Sequence, residues 1–216
     1  MPPVSQSAGT RRRLTFEARR EQLLDVATRL VAEHSFHVAT VEAVARAAGV
    51  SRAIIYQHFG DLHGLMQAVM DRELARAHAQ VSETTLTDLR EGDPMRLMLE
   101  SLRAFLTAVH DHPVTWRLVL MPPEGAPEVL RQRIELGRAS VRARMTAAVG
   151  PLLQSESEGA DAELTADVLS AISDEYARLL IGDPSRYPPE RLIAHAQWWL
   201  GHRWGNPTPV ARCGRG

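Results

Sequence analysis

Arg52, Ala53, Ile54, Tyr56, Gln57 and His58 follow directly on Ser51. These residue types suit a nucleic-acid surface. Arg forks its N–H groups onto guanine, Gln pairs with adenine, and small apolar side chains meet thymine methyls. Hydroxyls and a ring nitrogen reach phosphate oxygens, which set register without reading sequence. On a helix that starts after Ser51, Arg52 with Tyr56 and Ala53 with Gln57 share one face, while Ile55 and Phe59 share the other. We therefore read Arg52 and Gln57 as base readers, with Ala53 and Ile54 near thymine methyls. Thr40, Tyr56 and His58 are phosphate clamps, and Ser51 opens the helix among them.

A second set has apolar chemistry. Met98, Leu102, Phe105, Trp116, Met121, Ile134 and Met145 recur along the middle of the chain. They line a pocket for an apolar ligand, or they are the core of a helical bundle, where Met commonly fills gaps. The sequence leaves both open. His34 with His37, His110 with His112, and His195 with His202 pair up without Cys or carboxylates at ligand spacing. We assign them no metal. No Gly-rich phosphate loop, G-x-S-x-G or H-E-x-x-H occurs, so no catalytic residue and no cofactor are assigned, and the chain is not read as an enzyme.

Positioning the first set needs two short helices and a tight turn. Thr40 can cap a helix whose apolar face is Val41, Val44, Ala45 and Ala48. Gly49 then permits the sharp turn, and Ser51 caps the next helix. A helix this short buries little, so its polar face is free to dock in a major groove.

Thr40-Val41, Val44-Ala45 and Ala48-Gly49-Val50-Ser51, followed by Ile55-Tyr56 and His58-Phe59, resemble the DNA-binding domain of the tetracycline-repressor (TetR) family. The resemblance is specific over roughly 19–74 and one of layout beyond. Two positions depart from the family pattern. Ser35 stands before Phe36 where Gly is usual. Leu62 stands where a phosphate-binding Lys is usual, so that contact is absent.

The composition fits a helical, soluble chain: Ala, Leu, Arg and Glu are abundant and aromatics make up 5%. Net charge is −1, but residues 1–60 hold eight Arg and five acids, leaving the negative balance to the rest. Every one of the 25 basic residues is Arg. Cys213 stands alone, so no internal disulfide forms, and no apolar run follows Arg11–Arg13 as in a signal peptide. No stretch could span a bilayer, and the expected place is the cytoplasm.

We read an all-α protein in four parts. Residues 1–14 are a disordered basic arm and 15–60 a helix–turn–helix domain capped at Thr15. Residues 61–204 are a helical regulatory and dimerisation domain, and 205–216 a disordered tail. A long helix runs from Asp61 to about Leu89. Pro122–Gly125 is a loop, one helix spans about 127–149, and 150–162 is a mobile loop. Near the end, Val168, Ile172 and Tyr176, then Ile193, Ala196, Trp199 and Leu200, form wide stripes. The resemblance implies that they pair across a two-fold axis. The expected partners are a palindromic double-stranded DNA operator, a second copy of the chain and a small-molecule effector, with no membrane. The expected function is a repressor released by a largely apolar ligand; a ligand-independent regulator, an activator, or an all-helical enzyme are the alternatives.

Overall fold

The computed structural model describes residues 14–34, 38–84, 89, 92–122, 128–156 and 160–204. Within them the chain is all-α: α1 (Phe16–Glu33), α2 (Val41–Ala48), α3 (Arg52–Phe59), α4 (Leu62–Thr84), α5 (Pro94–Asp111), α6 (Pro113–Leu120), α7 (Glu128–Glu156), α8 (Ala162–Gly182) and α9 (Pro189–Trp204). Side chains fix many of the helix starts. The Thr15 hydroxyl accepts from the Ala18 N–H, Asp61 from Gly64, Asp93 from Met95 and Asp161 from Leu164. Each satisfies a backbone donor that a first turn leaves free, worth about 1 kcal/mol.

The chain divides into two compact units at Val69 and Met70, with α4 running through the boundary. In the first unit, α1 packs on α2 and α2 on α3. Leu23, Leu24, Ala27, Val31, Val44, Ile55 and Leu65 are almost wholly buried there. In the second unit, α5 packs on α8 and α9, α6 on α8, and α7 on α8. Leu106, Val109, Trp116, Ala177, Leu180, Leu192 and Ala196 belong to its main core.

Two boundaries differ from the expected ones. The long α4 ends at Thr84, and Leu89 lies outside any helix, fully buried against Ala148, Val149 and Leu153. The same cluster extends α7 to Glu156, through Gly150 and Pro151, where a loop was expected. Pro removes one hydrogen bond from a helix interior. Burial of Val149 and Leu153 on either side offsets that loss, as tertiary packing commonly overrides local propensity. The basic arm up to Arg13, Ser35 and Phe36, residues 123–127 and the tail from 205 lie outside the described residues.

Candidate nucleic-acid interface and ligand cavity

Thr40 begins the helix–turn–helix. Its hydroxyl accepts from the Ala43 N–H at 3.1 Å and is exposed. Gly49 ends α2 at φ 66°, a left-handed conformation that costs other residues steric strain. The Val50 N–H donates back to the Ala45 carbonyl at 3.0 Å, closing the turn. Ser51 occupies the cap position of α3, but its hydroxyl makes no cap hydrogen bond.

Arg52, Ala53, Tyr56 and Gln57 are exposed on one side of α3, with Ile54 half-buried at its margin and Ile55 fully buried on the other side. Arg52 is already engaged. Its Nη1 donates to Glu42 Oε1 at 2.9 Å, across the turn. That hydrogen bond holds the Glu42 carboxyl below the usual carboxylate range. Glu42 is a candidate functional residue that reasoning on α3 alone misses. Its position in the first turn of α2 was the available signal.

His58 departs from the outward set. It follows Ile55 by three residues, so it shares that inward face. Its ring stacks on Phe16 of α1 at 4.0 Å, and its Nδ1 is buried without a hydrogen-bond partner. The residue as a whole is half-buried, at the edge of the exposed face of α3.

The second unit holds a cavity of about 200 Å³ that is partly open to its surroundings. Met98, Leu102 and Phe105 of α5, Trp116 of α6, and Ile134 and Met145 of α7 line it. Met121 does not: it packs against the outside of the main core, because α6 ends at Leu120 and turns it away. The Phe105 and Trp116 rings meet edge to face at 5.0 Å. Trp116 Nε1 donates to Gln80 Oε1 of α4 at 2.8 Å. One residue earlier, the Thr115 hydroxyl donates to Glu73 of α4, which is buried and also receives Arg72 and Arg76. Arg138, Ser170, Ser173 and Asp174 add polar wall where α7 faces α8. Burial raises the Asp174 carboxyl above its ordinary range despite the opposing guanidinium groups of Arg138 and Arg178.

The residues expected at a two-fold interface have the following places within the single chain. Ile172, Tyr176, Ala196, Trp199 and Leu200 line the cavity, and Ile193 is buried in the main core. The apolar stripes of α8 and α9 thus close their own bundle, since a helix buries its widest apolar face where the chain already supplies a partner. Of the set, Val168 is exposed at 45%, and beside it in exposure are Leu164 at 59% and Trp198 at 59%. Trp198 falls off the α9 stripe, which was the sequence signal for it. Among the described residues no group of His, Cys, Asp and Glu could hold a metal ion, and no helix is long and apolar enough to cross a membrane.

Residues 23–69 match the family described as bacterial regulatory proteins, tetR family. The transcriptional repressor AcnR of Corynebacterium glutamicum is 38% identical over 87 residues, which are 39% of this chain and 46% of that protein. The transcriptional activator FasR of Mycolicibacterium smegmatis is 30% identical over 102 residues, 46% of this chain and 47% of that one. The chain spans about half the length of the curated relatives it matches. A TetR-like regulator structure from Rhodococcus sp. RHA1 superposes with a TM-score of 0.62 at 23% identity, covering 89% of this chain and all of the other.

Proposed function

The chain belongs to the tetR family of bacterial regulatory proteins through residues 23–69, and from that premise we propose that it is a ligand-responsive, DNA-binding transcriptional repressor. The observation that carries this reading is the exposed face of α3, where Arg52, Ala53, Tyr56 and Gln57 are offered by a helix of two turns. Such a helix fits a major groove, with Arg52 and Gln57 on base edges and Thr40, Ser51 and Tyr56 on phosphates. Residues 15–60 bind DNA, within a compact unit that extends to Val69. Residues 61–204 sense the ligand and dimerise.

One recognition helix reads few base pairs, so the working form is a dimer on a palindrome with half-sites about 34–36 Å apart. Leu164, Val168 and Trp198, the exposed apolar residues of α8 and α9, are the dimer face. A small, largely apolar ligand occupies the cavity of the second unit. Trp116 lies in that cavity wall and holds Gln80, while Thr115 holds Glu73, so α6 is tied to α4 at two points. The helix α4 continues by covalent connection into the DNA-binding unit. A ligand that favours one position of α6 then shifts the population toward dimers that no longer fit the operator spacing.

A second reading keeps the fold and reverses the sign. The similarity to the activator FasR favours it. An enzymatic role has no residue set to support it. Selection of bound duplexes from a random pool tests the core of the proposal, which requires an enriched inverted repeat. Reporter transcription from that repeat, with the gene for this protein present or deleted, then separates repressor from activator. Recovery of sequences with no common motif sinks the DNA-binding reading.

A further inference from the structure

Arg133, Arg138 and Asp174 carry charge in the cavity wall, and each is already paired. Arg133 is ion-paired to Asp71. Arg138 Nη1 donates to Glu135 at 2.9 Å, and its Nε stands 3.7 Å from Asp174 Oδ2. Asp174 has Arg178 at 3.7 Å as well, and Arg178 donates to Glu175 at 3.2 Å. A charged ligand group would have to break one of these pairs or be buried without a partner. Either costs desolvation that a new ion pair seldom returns. The wall itself reports that penalty: burial raises the Asp174 carboxyl above its ordinary range despite two guanidinium groups.

The neutral polar groups of the wall are engaged in the same way. Trp116 Nε1 donates to Gln80, and the Tyr176 hydroxyl shares a hydrogen bond of 2.7 Å with His195 Nδ1. The Ser173 hydroxyl donates to the Leu169 carbonyl at 2.9 Å, and Ser101 also has a partner. His78, exposed to solvent, contacts the Ser82 hydroxyl. Ser170 differs. It is half-buried in the wall, and among the described residues its hydroxyl has no hydrogen-bond partner. A ligand that covers this hydroxyl strips its water, so a ligand that supplies an acceptor there avoids leaving it unpaired.

We propose that the cavity binds an uncharged, mostly hydrocarbon molecule with a single hydroxyl or carbonyl oxygen, that oxygen on Ser170 and its body among Leu102, Phe105, Trp116 and Met145. This rests on the cavity being the ligand site proposed above. A cavity of about 150 Å³ takes benzene, so one of about 200 Å³ holds on the order of ten non-hydrogen atoms. A longer body has to extend through the open side.

The test titrates the whole protein at neutral pH with phenylethanol, phenylacetate, phenylethylammonium and ethylbenzene, by calorimetry. The methyl resonances of Met98 and Met145, both in the wall, report which of them enters the cavity. Phenylethanol should shift both methyls and bind about tenfold or more tightly than either ion, which would bury its charge without a new partner. Ser170→Ala should weaken phenylethanol about two- to tenfold, the loss of one neutral hydrogen bond, and should not weaken ethylbenzene. Either ion bound at the methionine methyls as tightly as phenylethanol overturns the proposal. So does phenylethanol that leaves both methyls unmoved. Equal weakening of phenylethanol and ethylbenzene by Ser170→Ala overturns the Ser170 contact, because that marks a change of cavity shape. Operator affinity measured alongside keeps the two readings apart. Phenylethanol that fills the cavity in preference to the ions, with the operator still bound, retains this ligand class and removes its regulatory role. An ion that binds at the methyls and releases the operator does the reverse.

Discussion

Arg52 has to leave Glu42 before it can reach a base. Both side chains are exposed, so the ion pair is weakly held and screened by salt. Arg52→Ala should weaken operator binding about ten- to a hundredfold and relax preference at one base pair, if the contact is a bidentate one to guanine. Fluorescence anisotropy on matched and scrambled duplexes decides this: equal loss on both moves Arg52 to the backbone. Glu42→Gln should act oppositely, tightening binding to every duplex, with the gain fading as salt rises. Asp174 gives a pH test in the other unit. Its folded-state pKa is raised, chiefly by burial. The folded protein therefore holds this proton more strongly than the unfolded chain. The stability it contributes is complete below the unfolded carboxylate pKa and is lost as pH rises through the raised folded value. Thermal unfolding of wild type and Asp174→Asn should show it: the wild-type advantage is larger at acid pH than at neutral pH. An advantage independent of pH would mean that Asp174 has the same pKa in the folded and unfolded states.

At the scale of elements, Gly64 of α4 lies close against the backbone at the end of α3. A Cβ on Gly64 would collide with the Phe59 carbonyl oxygen, and backbone cannot move aside as a flexible side chain can. Gly64→Ala should therefore destabilise the DNA-binding unit by about 1–3 kcal/mol, the usual cost of overpacking. Denaturant unfolding followed by circular dichroism measures it, and an unchanged midpoint would mean that α4 can shift freely. The apolar stripes of α1 and α2 were legible at this scale, because Leu23, Leu24, Ala27 and Val31, then Val41, Val44 and Ala45, recur at helical spacing and are buried. The course of α7 past Val149 was not. Gly150 and Pro151 signal a break locally, and the opposing term is burial against Leu89, far away in sequence.

For the whole molecule, α8 and α9 separate two kinds of apolar residue. Ile172 packs against the main core and lines the cavity, whereas Trp198 stays exposed. Trp198→Asp, combined with Val168→Asp, should yield folded monomers that lose palindrome binding, since an isologous contact repeats every substitution. Ile172→Asp should instead lower stability by about 2–5 kcal/mol, by placing a charge among apolar neighbours. Sedimentation with circular dichroism reads both. A Val168→Asp/Trp198→Asp protein that remains a dimer removes this face from the assembly, and an Ile172→Asp monomer of full stability would restore the stripe as the interface.

Sequence alone determined the helix–turn–helix, because its signals are local. Capping by Thr40, the left-handed turn at Gly49 and the exposed face of Arg52, Tyr56 and Gln57 act within a few residues of one another. Helical period also placed the apolar residues of the later helices on stripes. Period cannot say what a stripe faces, since core, cavity and partner all demand the same spacing. Only the tertiary structure turned Tyr176, Ala196 and Leu200 inward to a cavity, left Trp198 outside, and folded His58 onto Phe16. It also set Arg138 beside Asp174. These outcomes depend on which helix lies opposite, and that is fixed by the sum of many contacts between residues far apart in the chain.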